Sequence, residues 1–222
     1  ILFKPRDIVS GDFYWLSEKG NKIISVTADC TGHGVPGAFM SMLGISFLNE
    51  IVNMTDEADL QSHIILNDMR TLIINSLRQT GNVGESRDGM DMTLCIIDKE
   101  KMTLDYAGAY NPLIMVRDNE LIEYKADKMP IGIHIKKAED FTHYLIPLQK
   151  GDVLYTFSDG YADQFGGPEN NKFRKKNFKD LLLEIHKSPL KKQKEILDKT
   201  IIDWMNGYEQ VDDILVCGIR II

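Results

Sequence analysis

Ile23-Ile24-Ser25-Val26-Thr27-Ala28-Asp29-Cys30-Thr31-Gly32-His33-Gly34-Val35-Pro36-Gly37-Ala38 is the stretch on which the fold turns. Its first six residues alternate, with Ile24, Val26 and Ala28 on one face, the period of a strand packed on a core. Asp29 closes that run, and Gly32 and Gly34 permit a tight turn after it. From about Pro36 to Val52 apolar residues (Phe39, Met40, Met42, Leu43, Phe47, Leu48, Ile51, Val52) spread around much of a helical cylinder, so this helix is expected to be buried or covered by a partner. A strand thus passes into a helix through a loop that carries an acid.

Moving outward, further strands are expected at Met92–Ile97, Thr103–Ala107, Leu113–Val116, Leu121–Tyr124, Tyr144–Pro147, Val153–Phe157 and Ile214–Ile219. Lys99-Glu100 and Asp118-Asn119 read as tight hairpin turns, which makes much of the pairing antiparallel. A second helix is expected from about Leu60 to Gln79, with Leu66, Met69, Ile73 and Leu77 on one stripe. A later helical block begins near Asn177 and resumes after Ser188-Pro189, with Ser as N-cap and Pro in the first helical position. Strands and helices are segregated, which points to an α+β fold, and two antiparallel sheets face to face with helices outside accommodate the order. Without repeats or a Pro/Gly-rich linker, residues 1–222 read as a single domain. The chain opens on Ile1 rather than Met, so it is read as the C-terminal part of a longer protein.

Composition narrows the function. Acids outnumber bases 33 to 26, a net charge of −7, which argues against nucleic acid as a partner and is compatible with binding cations. The three cysteines (Cys30, Cys95, Cys217) are far apart and form no CxxC pair, so neither a zinc knuckle nor a disulfide scaffold is expected and a reducing cytoplasm is the simplest setting. The longest apolar region, Val35 to Met54, is interrupted by polar and glycine residues, so no membrane span is expected in this segment.

Acids recur where apolar strands meet loops. Asp12 follows Ile8-Val9-Ser10-Gly11, Asp29 ends its strand, Asp159 follows Val153–Ser158, and Asp212-Asp213 open the last strand. In a sandwich, strand ends are where residues distant in sequence converge on one rim. Mg²⁺ and Mn²⁺ take carboxylate, carbonyl and water oxygens, and two such ions lower the pKa of a shared water and clamp phosphoryl oxygens. A lone Asp before Gly is equally a turn residue, so spacing alone leaves both readings open.

Five segments in order carry a resemblance: Ile8-Val9-Ser10-Gly11-Asp12-Phe13-Tyr14, Ala28-Asp29-Cys30-Thr31-Gly32-His33-Gly34-Val35-Pro36-Gly37-Ala38, Ala107-Gly108-Ala109-Tyr110-Asn111-Pro112, Thr156-Phe157-Ser158-Asp159-Gly160 and Asp212-Asp213-Ile214-Leu215-Val216. Together they resemble the bacterial stage II sporulation protein E (SpoIIE) type of serine phosphatase, within the protein phosphatase 2C (PPM) superfamily. The resemblance implies a four-layer α-β-β-α sandwich and hydrolysis of phosphoserine or phosphothreonine by direct attack of a metal-activated water, without a phosphoenzyme. It implies two Mn²⁺ or Mg²⁺ ions, with Asp12 and Asp29 as bridging and catalytic acids, the backbone carbonyl of Cys30 as an added ligand, and Asp159 and Asp212 completing the shell of one ion. Asp213 and Gly160 stand beside those ligands. His33 is either a general acid or a residue of the turn. Arg6, or Lys4, is a candidate phosphate contact. Asp88 and Asp91 flank Gly89-Met90 and could hold a weaker third ion or be solvated loop acids.

The same resemblance implies a phosphorylated protein substrate such as an anti-sigma antagonist, in signal-regulated bacterial transcription or stress control. It also implies an upstream sensor domain in the same chain, through which the full protein could be membrane-tethered, and a homodimer. The basic run Lys172, Arg174, Lys175, Lys176 reads as a docking site for an acidic substrate or as a solvated loop. A catalytically inactive module that keeps the fold to bind a signalling partner is the rival reading. A nucleotide or phosphodiester hydrolase finds no support, because the sequence has no Walker-type glycine loop.

Overall fold

The protein is described by a computed structural model covering residues 1–82, 84–85, 87–134 and 139–222. In chain order the elements are β1 (Leu2–Lys4), β2 (Phe13–Lys19), β3 (Lys22–Cys30), α1 (Gly34–Met54), α2 (Ser62–Ser76), β4 (Met90–Asp98), β5 (Thr103–Ala109), β6 (Leu113–Arg117), β7 (Glu120–Tyr124), β8 (His143–Pro147), β9 (Val153–Phe157), α3 (Gly160–Asp163), β10 (Phe165–Gly166), β11 (Asn171–Lys172), α4 (Lys175–Ile185), α5 (Leu190–Met205) and β12 (Ile214–Arg220). One five-stranded sheet runs β2-β3-β4-β5-β8 and the other β1-β12-β9-β6-β7, and every strand pair is antiparallel.

Three apolar clusters show how these pieces stack. Ile24, Val26 and Leu94 of the first sheet pack with Leu48 of α1 and Leu66 and Met69 of α2. Val116, Tyr155 and Val216 of the second sheet pack with Leu182 of α4 and Leu197 and Ile201 of α5. Between the sheets, Cys95, Leu104 and Tyr106 meet Leu113, Met115 and Leu154. Each sheet is therefore apolar on both faces, which forces helices onto the outer sides and yields an α-β-β-α sandwich. A buried hydroxyl pair, Thr27 Oγ1 and Thr156 Oγ1 at 2.6 Å, joins β3 to β9 across the seam.

Differences from expectation are local. Asp118 and Asn119 both take positive φ and form the two-residue turn between β6 and β7. The β4–β5 connection is longer than Lys99-Glu100, because Asp98 pairs with Thr103. Asp98 Oδ1 there accepts the N–H groups of Glu100 and Lys101. Pro189, not Ser188, is the N-cap of α5. The second expected helix is shorter at both ends, Ser62–Ser76, and a 3-10 turn at Glu57–Asp59 precedes it. By length and composition α1 is apolar enough to cross a bilayer, which amends the reading of Val35–Met54. Its Gly37, Met40, Gly44, Leu48, Ile51 and Val52 are buried in this fold.

Candidate active site

The expected acids come from both sheets and meet at one end of the seam. Asp29 is the penultimate residue of β3 and lies directly across from Asp91 of β4 in the antiparallel register. Asp159 follows β9 and precedes α3, while Asp212 stands just before β12. These four acids, with Cys30, His33 and Pro130, line a single cavity of about 370 Å³. Asp12 sits behind them, at the entry to β2, almost fully buried.

Their electrostatics are those of anions crowded together in a poorly hydrated place. Burial first, then Asp213, Asp212 and Asp159, push the Asp12 carboxyl up to about 8, although the Ser158 hydroxyl draws it back. Asp29 is raised to about 9 by burial and by Asp12, Asp159, Asp91 and Asp212. Asp91 rises to about 7 through burial and Asp159, with the Lys175 ammonium opposing. Asp159 is raised as well, by burial and then by Asp163 and Asp212. Among the described residues Asp12 Oδ2, which is buried, has no hydrogen-bond partner, a costly state for a carboxylate in a folded protein.

Those observations fit a divalent cation. Among the described residues no three His, Cys, Asp or Glu side chains form a ready-made cage. The acids line an open cavity instead, and Mg²⁺ or Mn²⁺, which keep several waters and use one or two carboxylates each, need no closed cage. Positive charge in the cavity would return Asp12, Asp29, Asp91 and Asp159 to their ionised form and satisfy the orphaned oxygen of Asp12.

The remaining candidates divide. Asp213 is buried and accepts the N–H of Arg6 and of Gly11, each at 2.8 Å, so it clamps the segment leading to Asp12. Gly160 is required by contact, because a Cβ there would lie 1.9 Å from the carbonyl oxygen of Asp213. His33 lines the cavity and its Nδ1 sits 2.8 Å from Asp7 Oδ2, in a half-exposed pair. The Arg6 guanidinium donates to the Val211 carbonyl, and Lys4 pairs with Asp198 of α5; neither lines the cavity. Asp88 borders a different depression, with Gln79 and Glu85, so Asp91 alone of that pair joins the acids. Burial raises the Cys30 thiol well above its ordinary range, which leaves it protonated and inert.

Sequence reading passed over Asp7, Ser158 and Pro130. Asp7 carries no signal because its partner lies 26 residues away. Ser158 stood inside a quoted motif, yet its Oγ accepting the Leu215 N–H and its nearness to Asp12 depend on the pairing of β9 with β12.

An α-β-β-α sandwich with an acid-lined cavity at the seam defines the class of phosphatases known as protein phosphatase 2C. The family model for stage II sporulation protein E matches residues 19–222, and the chain belongs to that family of protein phosphatases. Among solved structures, the SiaA-PP2C domain of Pseudomonas aeruginosa superposes with a TM-score of 0.88 at 29% identity, over 100% of this chain and 85% of that one. The phosphatase domain with a regulatory fragment of SpoIIE from Bacillus subtilis gives a TM-score of 0.76 at 21% identity, over 99% of this chain and 61% of that one. RsbX, solved in complex with magnesium, shares the fold with a TM-score of 0.63 at 12% identity, over 97% of this chain and 90% of that one. No curated protein sequence matches the chain.

Proposed function

We propose that this chain is a divalent-metal-dependent protein serine/threonine phosphatase, with Mn²⁺ or Mg²⁺ held between the two sheets. The observation that carries the reading is the convergence of acids: Asp12, Asp29 and Asp159 are destabilised by burial and by their acidic neighbours, Asp212 among them, and Asp12 Oδ2 is buried with no hydrogen-bond partner among the described residues. When bound, the ions would lower the pKa of a water and neutralise the phosphoryl oxygens. Asp12 and Asp29 would hold two ions, the Cys30 carbonyl would add a ligand, and Asp159 and Asp212 would complete one shell. Asp91, across the strand pair from Asp29, would hold a weaker third ion. Asp213 and Gly160 position rather than react. His33, tied to Asp7, stands at the cavity wall where it could hand a proton to a leaving alkoxide.

The substrate would be a phosphoprotein of a bacterial signalling pathway, an anti-sigma antagonist being one such class. The setting would be the cytoplasm, with a sensor domain upstream in the same protein and a homodimer as the assembled form. The magnesium bound to RsbX, and the likeness to a bacterial stressosome protein from a system that controls secondary-messenger signalling, support this reading. Hydrolysis of a phosphoserine peptide with Mn²⁺, compared with chelator, is the test. Asp12→Asn and Asp159→Asn should each lower turnover by roughly a hundredfold or more, the scale of losing a charge-stabilising group in a dry site. Undiminished turnover in chelator, or in both variants, would refute it.

A further inference from the structure

Beside the acid cavity lies a second depression of about 370 Å³ with the opposite charge. Its floor is apolar, built on the buried rings of Phe157 and Phe178. Lys125, Lys128, Lys175 and Lys179 line it. Lys179 is held by Glu123 at 2.8 Å, but Lys125, Lys128 and Lys175 are exposed and have no ion pair among the described residues. Three ammonium groups on one rim, without an ion pair among the described residues, stand out on a chain whose net charge is −7.

The two depressions adjoin. Lys128 lines the basic groove and Pro130, two residues on, lines the acid cavity. Lys175 opens α4 and lines the groove, while its charge is felt by both Asp91 and Asp159. Of the basic run noted in the sequence, Lys172 is spent on Asp163, and Lys175 is the member turned to this groove.

We infer that the groove is a specificity subsite for the phosphoprotein substrate, taking acidic residues that flank the phosphorylated serine or threonine, with an apolar side chain on the Phe157–Phe178 floor. The inference rests on the phosphatase reading of the neighbouring cavity. Its basis is charge complementarity: the ions and acids of the cavity would handle the phosphoryl group, and the lysines beyond it would attract carboxylates and repel basic flanks.

Two phosphoserine peptides, identical except for glutamates or glutamines on both flanks, test it together with p-nitrophenyl phosphate, all with Mn²⁺. The wild-type chain should prefer the glutamate peptide in kcat/KM by about tenfold at low salt, and added salt should erase the preference. K125E/K128E, and more mildly K125A/K128A, should abolish the preference while p-nitrophenyl phosphate turnover stays within about twofold of wild type. Fluorescence anisotropy of the labelled glutamate peptide should show the same loss of binding. Equal kcat/KM for the two peptides, or a preference that survives K125E/K128E, overturns the inference. So does wild-type binding to anionic lipid vesicles without discrimination between peptides. Failure to hydrolyse p-nitrophenyl phosphate strikes the phosphatase reading instead, and anisotropy then still decides whether the groove selects acidic peptide.

Discussion

At the scale of single residues, the acids of the cavity weaken the fold they sit in. Asp29 and Asp12 have ordinary values near 3.8 and stand near 9 and 8 in the folded chain. The folded state therefore keeps protons that the unfolded state has released, and the associated stability is complete below about 3.8 and drains away as pH rises toward 9. In chelator, the melting temperature should fall between pH 6 and pH 9, and Asp29→Asn should flatten that slope. A melting temperature that climbs over this range would show that the carboxyls are not buried together. The residues were easy to see in the sequence because each breaks an apolar run. Their neighbours were not: the opposition of Asp29 and Asp91 depends on the register of β3 against β4, which is set by pairing 62 residues apart and leaves no local mark.

Among the elements, the junction of β3 with α1 does the positioning. A Cβ on Gly37 would lie 2.3 Å from the Gly32 carbonyl oxygen and 2.8 Å from Gly11 Cα, so the helix start, the Cys30–His33 loop and the approach to Asp12 touch backbone to backbone. Helix propensity alone would favour alanine there by about 1 kcal/mol. Displacing two backbone segments costs about 1–3 kcal/mol, which leaves a net loss of up to about 2 kcal/mol. Gly37→Ala should lower stability by that net amount in denaturant melts and reduce Mn²⁺-dependent turnover; full activity with raised stability would show the junction to be slack. This junction was legible, because the strand, turn and helix of residues 23–38 announce themselves by period and glycine. β1 was not, being three residues long and meaningful only beside β12. β2 was not legible either: Phe13, Trp15 and Ser17 alternate with more exposed neighbours, but Leu16 and Tyr14 are exposed and blur the period. The four-residue α3 and the short β10–β11 hairpin are too brief for any periodicity to reveal.

For the whole molecule, the site belongs to neither sheet alone. Asp29 and Asp91 come from one, Asp159 and Asp212 from the other, so cations in the cavity would fasten the two halves of the sandwich. A ligand present at a hundred times its Kd contributes about 2.7 kcal/mol, and for a chain of this size that corresponds to about 5–11 °C in melting temperature. Mn²⁺ should raise the wild-type melting temperature by that order, and Asp12→Asn should lose most of the gain; an equal rise in the variant would place the ion elsewhere. The amino-terminal stretch gives the same seam a mechanical side. Leu2–Lys4 is zipped to Val216–Ile214, Lys4 is anchored to Asp198, and the N–H groups of Arg6 and Gly11 hang on Asp213, one residue short of Asp12. Tension applied at residue 1 would peel these fastenings in sequence, and the last to yield is the one that aims Asp12, so a dozen residues act as a ripcord running from the protein's edge to its acid cavity.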